Sequence, residues 1–190
     1  MPDSLSSDTV VIGVGNSILS DDGVGVHAIR LLQGDSRVPA GVSILDGGTL
    51  GLELVPYASD ASRVLLLDAV NSGAAPGTLV RMAASDLLGA KGGWSAHQLG
   101  VADLISALAL MSSSPQEIVV LGVQPANTDW GTTLSPEVDA ALSPLVEAAL
   151  AQLQIWQEAA NACLKTDLPC VPLAESPHEA FSDPCAKTEV

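Results

Sequence analysis

A buried strand that breaks at two glycines and leads into two adjacent aspartates constrains the fold of this chain more than any other stretch. The apolar run over residues 10–14 is followed by Gly15, a polar turn, Asp21 and Asp22. A short apolar run bounded by glycine is typical of a buried strand in a parallel sheet. In open α/β sheets, ligands bind beyond the carboxyl ends of the strands, so we expect the functional site here.

Strand and helix patterns alternate along the rest of the chain. Strands are predicted at residues 9–14, 42–45, 63–70, 78–82 and 117–123, and helices at 23–32, 50–57, 99–110 and from Ser135 to about Trp156. This order predicts an α/β fold: a twisted, mainly parallel sheet of about five strands with helices on both faces, in three layers. The apolar run at 63–70 predicts a central strand that ends in Asp68.

The composition changes near residue 158. Four prolines interrupt the remaining stretch, which has neither helical nor strand periodicity: Pro169, Pro172, Pro177 and Pro184. Such a segment has little apolar area to offset the entropy lost on ordering. The sequence therefore predicts one α/β domain over residues 1–157 and a disordered tail over 158–190.

The charge of the chain argues against nucleic acids as partners. The net charge is −15, and only 7 lysines and arginines are present, so no basic stripe exists to neutralise nucleic-acid phosphates. The mean hydropathy of +0.37 is high. However, the apolar window from Leu99 to Met111 is short and contains Asp103, so we expect no membrane insertion.

The N-terminal residues and the cysteines both indicate the cytoplasm. Residues 1–8 are acidic and polar, without the basic and apolar regions of a secretory signal. The three cysteines, Cys163, Cys170 and Cys185, are odd in number and fit no zinc or CxxC spacing. We expect reduced thiols and a cytoplasmic protein.

Several common catalytic motifs are missing from the sequence. The GVG at residues 13–15 begins like a dinucleotide fingerprint, but Ile18 stands where the third glycine belongs. No phosphate-binding GKS/T loop, GxSxG nucleophile elbow or HExxH metal helix is present. These absences disfavour a nucleotide-binding module and serine-nucleophile chemistry.

Carboxylates follow three of the predicted strands, and a histidine precedes a later helix. The set comprises Asp21 and Asp22, Asp46, Asp68 and His97. Carboxylates with an imidazole suit a divalent transition metal such as Ni, Zn, Fe or Mn. Structural alternatives stay open, because an aspartate before a helix often caps it, Asp46 fits an ordinary Asp-Gly turn, and a lone histidine is often a surface or capping residue.

Six segments, taken together and in this order, resemble the maturation endopeptidases of nickel–iron (NiFe) hydrogenase large subunits. They are GVGNSILSDDGVG at 13–25, DGGTLG at 46–51, LLDAV at 66–70, PG at 76–77, SAHQLG at 95–100 and GVQP at 122–125. The resemblance covers about residues 10–153.

The resemblance implies a metal site made of Asp22, Asp68 and His97. It also implies catalytic roles for Asp22, Asp68 and Asp46, in the manner of an aspartyl protease, while Asp21 becomes the structural member of its pair. The family has Asp or Glu at the first position, and here it is Asp22. The metal implied is nickel, carried by the substrate, although Zn or Cd would fit the same ligands.

The function implied is that of an endopeptidase, monomeric, which removes the C-terminal peptide of a nickel-loaded hydrogenase large-subunit precursor. The first alternative is a non-catalytic metal-binding chaperone for metalloenzyme assembly, which would bind the precursor and release no peptide. A second alternative is the related protease fold that acts on spore proteins, which should lack the segments at 95–100 and 122–125.

Overall fold

A computed structural model describes residues 8–84, 96–111 and 115–165, with only the backbone of residues 96–100 and 163–165. The strands are β1 (Thr9–Val14), β2 (Val42–Gly48), β3 (Arg63–Ala69), β4 (Leu79–Ala83) and β5 (Glu117–Val123). The helices are α1 (Val24–Gln33), α2 (Val55–Ala58), α3 (Ala96–Leu110) and α4 (Pro136–Lys165), with 3-10 turns at Ser20–Gly23 and Gly51–Leu54.

The five strands form one sheet in the order β2-β1-β3-β5-β4. All neighbours pair in parallel except β4, which runs antiparallel to β5 at the edge of the sheet. Strand β3 lies at the centre, as its apolar sequence predicts, and its residues 63–67 pair with β1 on one side and β5 on the other. The predicted mainly parallel α/β fold is confirmed.

Two apolar cores lie on opposite faces of this sheet. The first core packs α1 and α4 on one face, through residues such as Ile29 and Leu145. The second core packs α2 and α3 on the other face, through residues such as Ala58 and Leu104. Side chains of one strand alternate between the cores, since Leu65 and Leu67 join the first and Leu66 the second. The chain therefore has the three layers that the sequence predicts.

The last helix is longer than the sequence predicts. It continues past Trp156 to Lys165, so residues 158–165 are helical rather than part of the tail. Residues 157–165 are mostly good helix formers, and no proline occurs between Pro144 and Pro169. Trp156 is buried and donates from Nε1 to Glu117 Oε2 at 2.7 Å, which fixes the helix against the sheet. Residues 166–190, the rest of the predicted tail, lie outside the described residues.

Two smaller differences concern the second strand and the short helix after it. Strand β2 continues to Gly48, so Asp46 lies within the strand rather than directly after it. The predicted helix at 50–57 is a 3-10 turn followed by the single helical turn of α2. Within the described ranges, no helix is both long and apolar enough to cross a membrane.

Helix α1 crosses the sheet at a point where only glycine fits. A β-carbon on Gly25 would collide with the carbonyl oxygens of Leu67 and Val14. Gly13, on β1, faces the carbonyl of Gly25 just as closely. Because backbone atoms cannot give way as a flexible side chain can, these glycines set the distance between the helix and the sheet.

We expect Gly25→Ala to lower the free energy of unfolding by about 2 kcal/mol or more, because the added methyl group separates α1 from β3. Urea denaturation followed by circular dichroism measures the change. Gly34→Ala is the matched control, since its β-carbon would meet nothing closer than Leu31 O at 3.9 Å. An equal loss in both variants would contradict this account of the crossing.

Candidate functional site

A cleft of about 260 Å³ opens at the carboxyl ends of the central strands. It is lined by Asp22, Ala69, Asn71, Gln124, Pro125, Ala126, Asn127 and Thr128. Three segments thus form its walls: the turn before α1, the loop after β3 and the loop after β5. This is the position at which open α/β sheets bind their ligands.

Asp22 lies on the 3-10 turn that leads directly into α1. Its side chain is only 3% exposed, and its Oδ2 accepts the Asn16 N–H at 2.8 Å. Gly15 has a φ of +125°, and a β-carbon there would collide with the Asp22 carbonyl oxygen. Glycine at position 15 therefore lets the strand end pass close to Asp22 and hold it at the cleft.

Asp68 lies near the end of β3, beneath the cleft, and is 1% exposed. Its neighbour on β5 is Gly122, which adds no side chain beside it. Burial raises the pKa of Asp68 to about 8; the hydrogen bond from Ala69 N–H, at 2.8 Å, works against this rise, and the charge of Asp22 adds to it. Asp22 and Asp68 are therefore close enough to repel each other as anions.

Asp21 points away from the cleft and acts as a structural acceptor. It is fully buried, and its Oδ2 accepts N–H groups of Ala126 and Asn127 at 2.9 and 2.8 Å. Its Oδ1 accepts Ser135 N–H at 2.6 Å, and Ser135 Oγ donates to Oδ2 at 2.8 Å. Burial opposes ionisation, but these hydrogen bonds outweigh it and hold the pKa of Asp21 below its usual value.

Further backbone contacts join the same two loops. Ser20 N–H donates to Gly131 O at 2.9 Å, and Gly131 N–H donates to Ile18 O at 3.0 Å. Ser20 adopts a left-handed conformation, with φ of 48°, and its Oγ donates to Asp129 O at 3.0 Å. These bonds offset the strain at Ser20 and keep the loop after β5 against the turn that carries Asp22.

Asp46 lies on the opposite face of the sheet from Asp68. In β2, Ile44 and Asp46 share a face, and Ile44 packs on the first core. In β3, Leu66 and Asp68 share the face of the second core. Asp46 is exposed, and its Oδ1 accepts Gly48 N–H at 3.2 Å. The structure thus brings Asp22 and Asp68 together and leaves Asp46 apart from them.

His97 lies in the first turn of α3, the helix that packs on the same face as Asp68. Position 97 is one turn before Val101, which is buried in the second core. The imidazole itself lies outside the side chains that the structure describes. Among the side chains that are described, no group of three His, Cys, Asp or Glu residues is placed to hold a metal ion. The metal site of Asp22, Asp68 and His97 therefore stays a prediction from the resemblance.

Gln124 links the loop after β3 to the loop after β5, a role that the sequence does not reveal. It is buried, and its Oε1 accepts the N–H groups of Ser72 and Gly73 at 2.8 and 3.0 Å. Its Nε2 donates to Asn71 Oδ1 at 3.3 Å and to Pro125 O at 3.2 Å. The only sequence signal was the GVQP segment, which marks the position without indicating its contacts.

Comparison with known sequences gives consistent matches. The family described as hydrogenase maturation protease (HycI) matches residues 26–152. The hydrogenase expression/formation protein HupD of Rhodobacter capsulatus is 34% identical over 185 residues, which is 94% of this chain and 88% of the relative. The hydrogenase 2 maturation protease of Escherichia coli is 35% identical over 147 residues, covering 76% of this chain and 90% of that protein.

Solved structures agree with these matches. The hydrogenase-maturating endopeptidase HybD from E. coli superposes with a TM-score of 0.70 at 34% identity, covering 77% of this chain and 91% of that one. The NiFe hydrogenase maturation protease HybD from Thermococcus kodakarensis gives a TM-score of 0.61 at 27% identity, covering 76% and 98%. The shared fold extends over the domain that carries the cleft.

We expect Asp21→Ala to lower the free energy of unfolding by about 3 kcal/mol, because three backbone N–H groups lose their acceptor in partly buried hydrogen bonds. Chemical denaturation measures the loss. Asp103→Ala, which removes an exposed carboxylate from α3, is the control and should change stability by less than about 0.5 kcal/mol. A stable Asp21→Ala protein would show that the loop does not depend on this carboxylate.

We expect Asp68→Asn to have the opposite effect and to stabilise the metal-free protein. The pKa of Asp68 is about 8 in the folded protein and near 3.8 in the unfolded chain. Between these values the unfolded chain binds fewer protons, so the wild-type protein loses stability as the pH rises. The neutral amide removes this loss.

Thermal unfolding in a chelating buffer should therefore show a midpoint raised by about 3–8 °C for Asp68→Asn at pH 8 and by less at pH 5. A lower midpoint for the variant at pH 8 would contradict the assignment of Asp68 as a destabilised, buried acid.

Proposed function

We propose that this chain, which belongs to the hydrogenase maturation protease family, recognises nickel in its substrate through Asp22, Asp68 and His97. The enzyme is an endopeptidase that acts on the C-terminus of a hydrogenase large-subunit precursor. The nickel is cargo of that precursor. Contact with it would let the protease distinguish a precursor that has received its metal from one that has not.

The observation that carries this proposal is the pairing of Asp22, which lines the cleft, with the buried Asp68, which directly precedes the lining residue Ala69. Asp22 and Asp68 are 3% and 1% exposed, and the charge of Asp22 disfavours ionisation of Asp68. A divalent cation between them would remove both the repulsion and part of the desolvation cost. Burial disfavours the charged form of Asp68, and a role in binding a cation would explain why a carboxylate is kept at this position.

His97 is the third member of the proposed set. Its backbone lies at the start of α3, on the face of the sheet that Asp68 also occupies. Two carboxylates and an imidazole form the mixed oxygen and nitrogen set that suits nickel and zinc. With three protein ligands, coordination positions remain for groups of the substrate.

The same two carboxylates supply the acid–base chemistry that peptide hydrolysis needs. A carboxylate placed beside the scissile bond can act as a general base towards water. Burial raises the pKa of Asp68 to about 8 in the metal-free protein, and a cation bound beside it would lower this pKa and keep the carboxylate ionised as a base. We propose that the pair activates the attacking water. Asp46 lies on the other face, and its catalytic role stays a prediction from the resemblance.

The non-catalytic chaperone is not favoured, because the family and its solved members are named proteases and endopeptidases. It differs from our proposal in one measurable respect, since a chaperone would bind the precursor and release no peptide. A cytoplasmic location, a monomeric state and the absence of nucleic-acid partners stay predictions from the sequence.

Purified protein should shorten the nickel-loaded precursor and leave the nickel-free precursor intact. Gel mobility and the mass of the released C-terminal peptide measure the cleavage. Asp22→Ala, Asp68→Ala and His97→Ala should each reduce the rate by at least about 100-fold, because each removes a ligand or an acid–base group. Equal cleavage of the two precursors would reject nickel recognition.

Two further variants make this test specific. Asp103→Asn removes an exposed carboxylate outside the cleft and should keep the wild-type rate. Asp46→Asn decides the remaining prediction: a loss like that of Asp22→Ala would support a catalytic Asp46, and an unchanged rate would remove it from the catalytic set.

A further inference from the structure

We propose that Asn71 is a further catalytic residue, which donates a hydrogen bond from Nδ2 to the carbonyl oxygen of the peptide bond being cleaved. The inference rests on the proposed function, because it places that bond in the cleft beside Asp22. It assigns a specific task to a residue of the loop after β3.

The orientation of Asn71 is set by a chain of hydrogen bonds that begins at the backbone. The N–H groups of Ser72 and Gly73 can only donate, so the end of the Gln124 amide that they contact must be the oxygen, at 2.8 and 3.0 Å. The other end of that amide, Nε2, then donates to Asn71, at 3.3 Å. The atom of Asn71 that faces Gln124 is therefore Oδ1.

Fixing Oδ1 against Gln124 leaves the Nδ2 group of Asn71 as the free end of its amide. Asn71 is exposed and lines the same cleft as Asp22. Within the part of the chain whose side chains are described, Nδ2 donates no hydrogen bond. The cleft therefore contains a neutral donor whose direction is set by the buried Gln124.

Peptide hydrolysis in this cleft requires a hydrogen-bond donor in addition to the carboxylates. During hydrolysis the water oxygen bonds to the carbonyl carbon, and the carbonyl π-electron pair moves to the oxygen. The C–N bond then breaks, and a proton from the water passes to the leaving nitrogen. Negative charge on the carbonyl oxygen would be destabilised near Asp22 and Asp68, and a positioned N–H donor stabilises it.

Asn127 also lines the cleft, and Asp21 fixes its backbone, but its side chain is oriented only from within its own loop. Its Oδ1 accepts the N–H of Asp129 at 2.9 Å, a bond within one exposed loop. Asn71 is instead fixed by Gln124, which is buried and hydrogen-bonded to the backbone of both the loop after β3 and the loop after β5. Transition-state stabilisation requires a donor that does not have to reorganise, which favours Asn71.

The test compares Asn71→Asp and Asn71→Ala in steady-state cleavage of the nickel-loaded precursor. Asn71→Asp keeps an acceptor for Gln124 Nε2 and replaces the donor by a carboxylate. We expect kcat to fall by about 100-fold in both variants, since one oxyanion donor is lost. KM should change by less than about threefold, because the bond strengthens mainly in the transition state. An unchanged kcat, or a loss confined to KM, would overturn the proposal.

A matched control is Gln154→Glu, which makes the same amide-to-carboxylate change at an exposed position of α4 and should keep the wild-type kcat. Thermal unfolding checks that both Asn71 variants retain the fold; a fall in the midpoint without a fall in kcat would show a purely structural role. If Asn71→Asp is fully active while Asp22→Ala is inactive, only this inference fails. If the wild-type protein cleaves nickel-loaded and nickel-free precursor equally and Asn71→Asp slows both, nickel recognition fails and the role of Asn71 stands.

Discussion

The position of the cleft walls depends on Asp21, a buried carboxylate that does not line the cleft itself. Asp21 accepts hydrogen bonds from the backbone of residues 126, 127 and 135, and so holds the loop after β5 against the turn before α1. That loop forms one wall of the cleft, and the turn supplies Asp22. Because a buried anion must be fully hydrogen-bonded to be tolerated, the position of the loop is determined as soon as Asp21 is buried.

Two adjacent aspartates therefore have different roles in the structure. Asp21 is saturated with donors, its pKa is lowered, and it stabilises the structure. Asp22 sits beside Asp68, whose pKa is raised by burial and by the neighbouring charge. Asp22 lines the cleft at the carboxyl ends of the strands, the position at which α/β sheets bind their ligands. The hydrogen bonds of Asp21 thus hold in place the turn that carries Asp22, beside the buried Asp68.

The uncharged side chains also divide into those that hold the loops in place and those that line the cleft. Gln124 is buried and uses its amide oxygen to fix the loop after β3 and its amide nitrogen to orient Asn71. Glycine at 15, 25 and 122 lets backbone and side chains approach where a methyl group would collide. The result is a rigid frame around a small number of groups that face the substrate, which is what a preorganised site requires.

Apolar periodicity and the glycine pattern were enough to predict the parallel sheet, the central position of β3 and the acids at its carboxyl edge, because strand burial is a local property of the sequence. The distinction between Asp21 and Asp22 was predicted only through the resemblance. The continuation of α4 to Lys165 agrees with the good helix formers at residues 157–165, which the sequence does contain. Two other matters were decided by tertiary structure: that Asp46 faces away from Asp68, and that Gln124 orients Asn71. Each depends on contacts between residues far apart in the chain, and neither spacing nor composition contains that information.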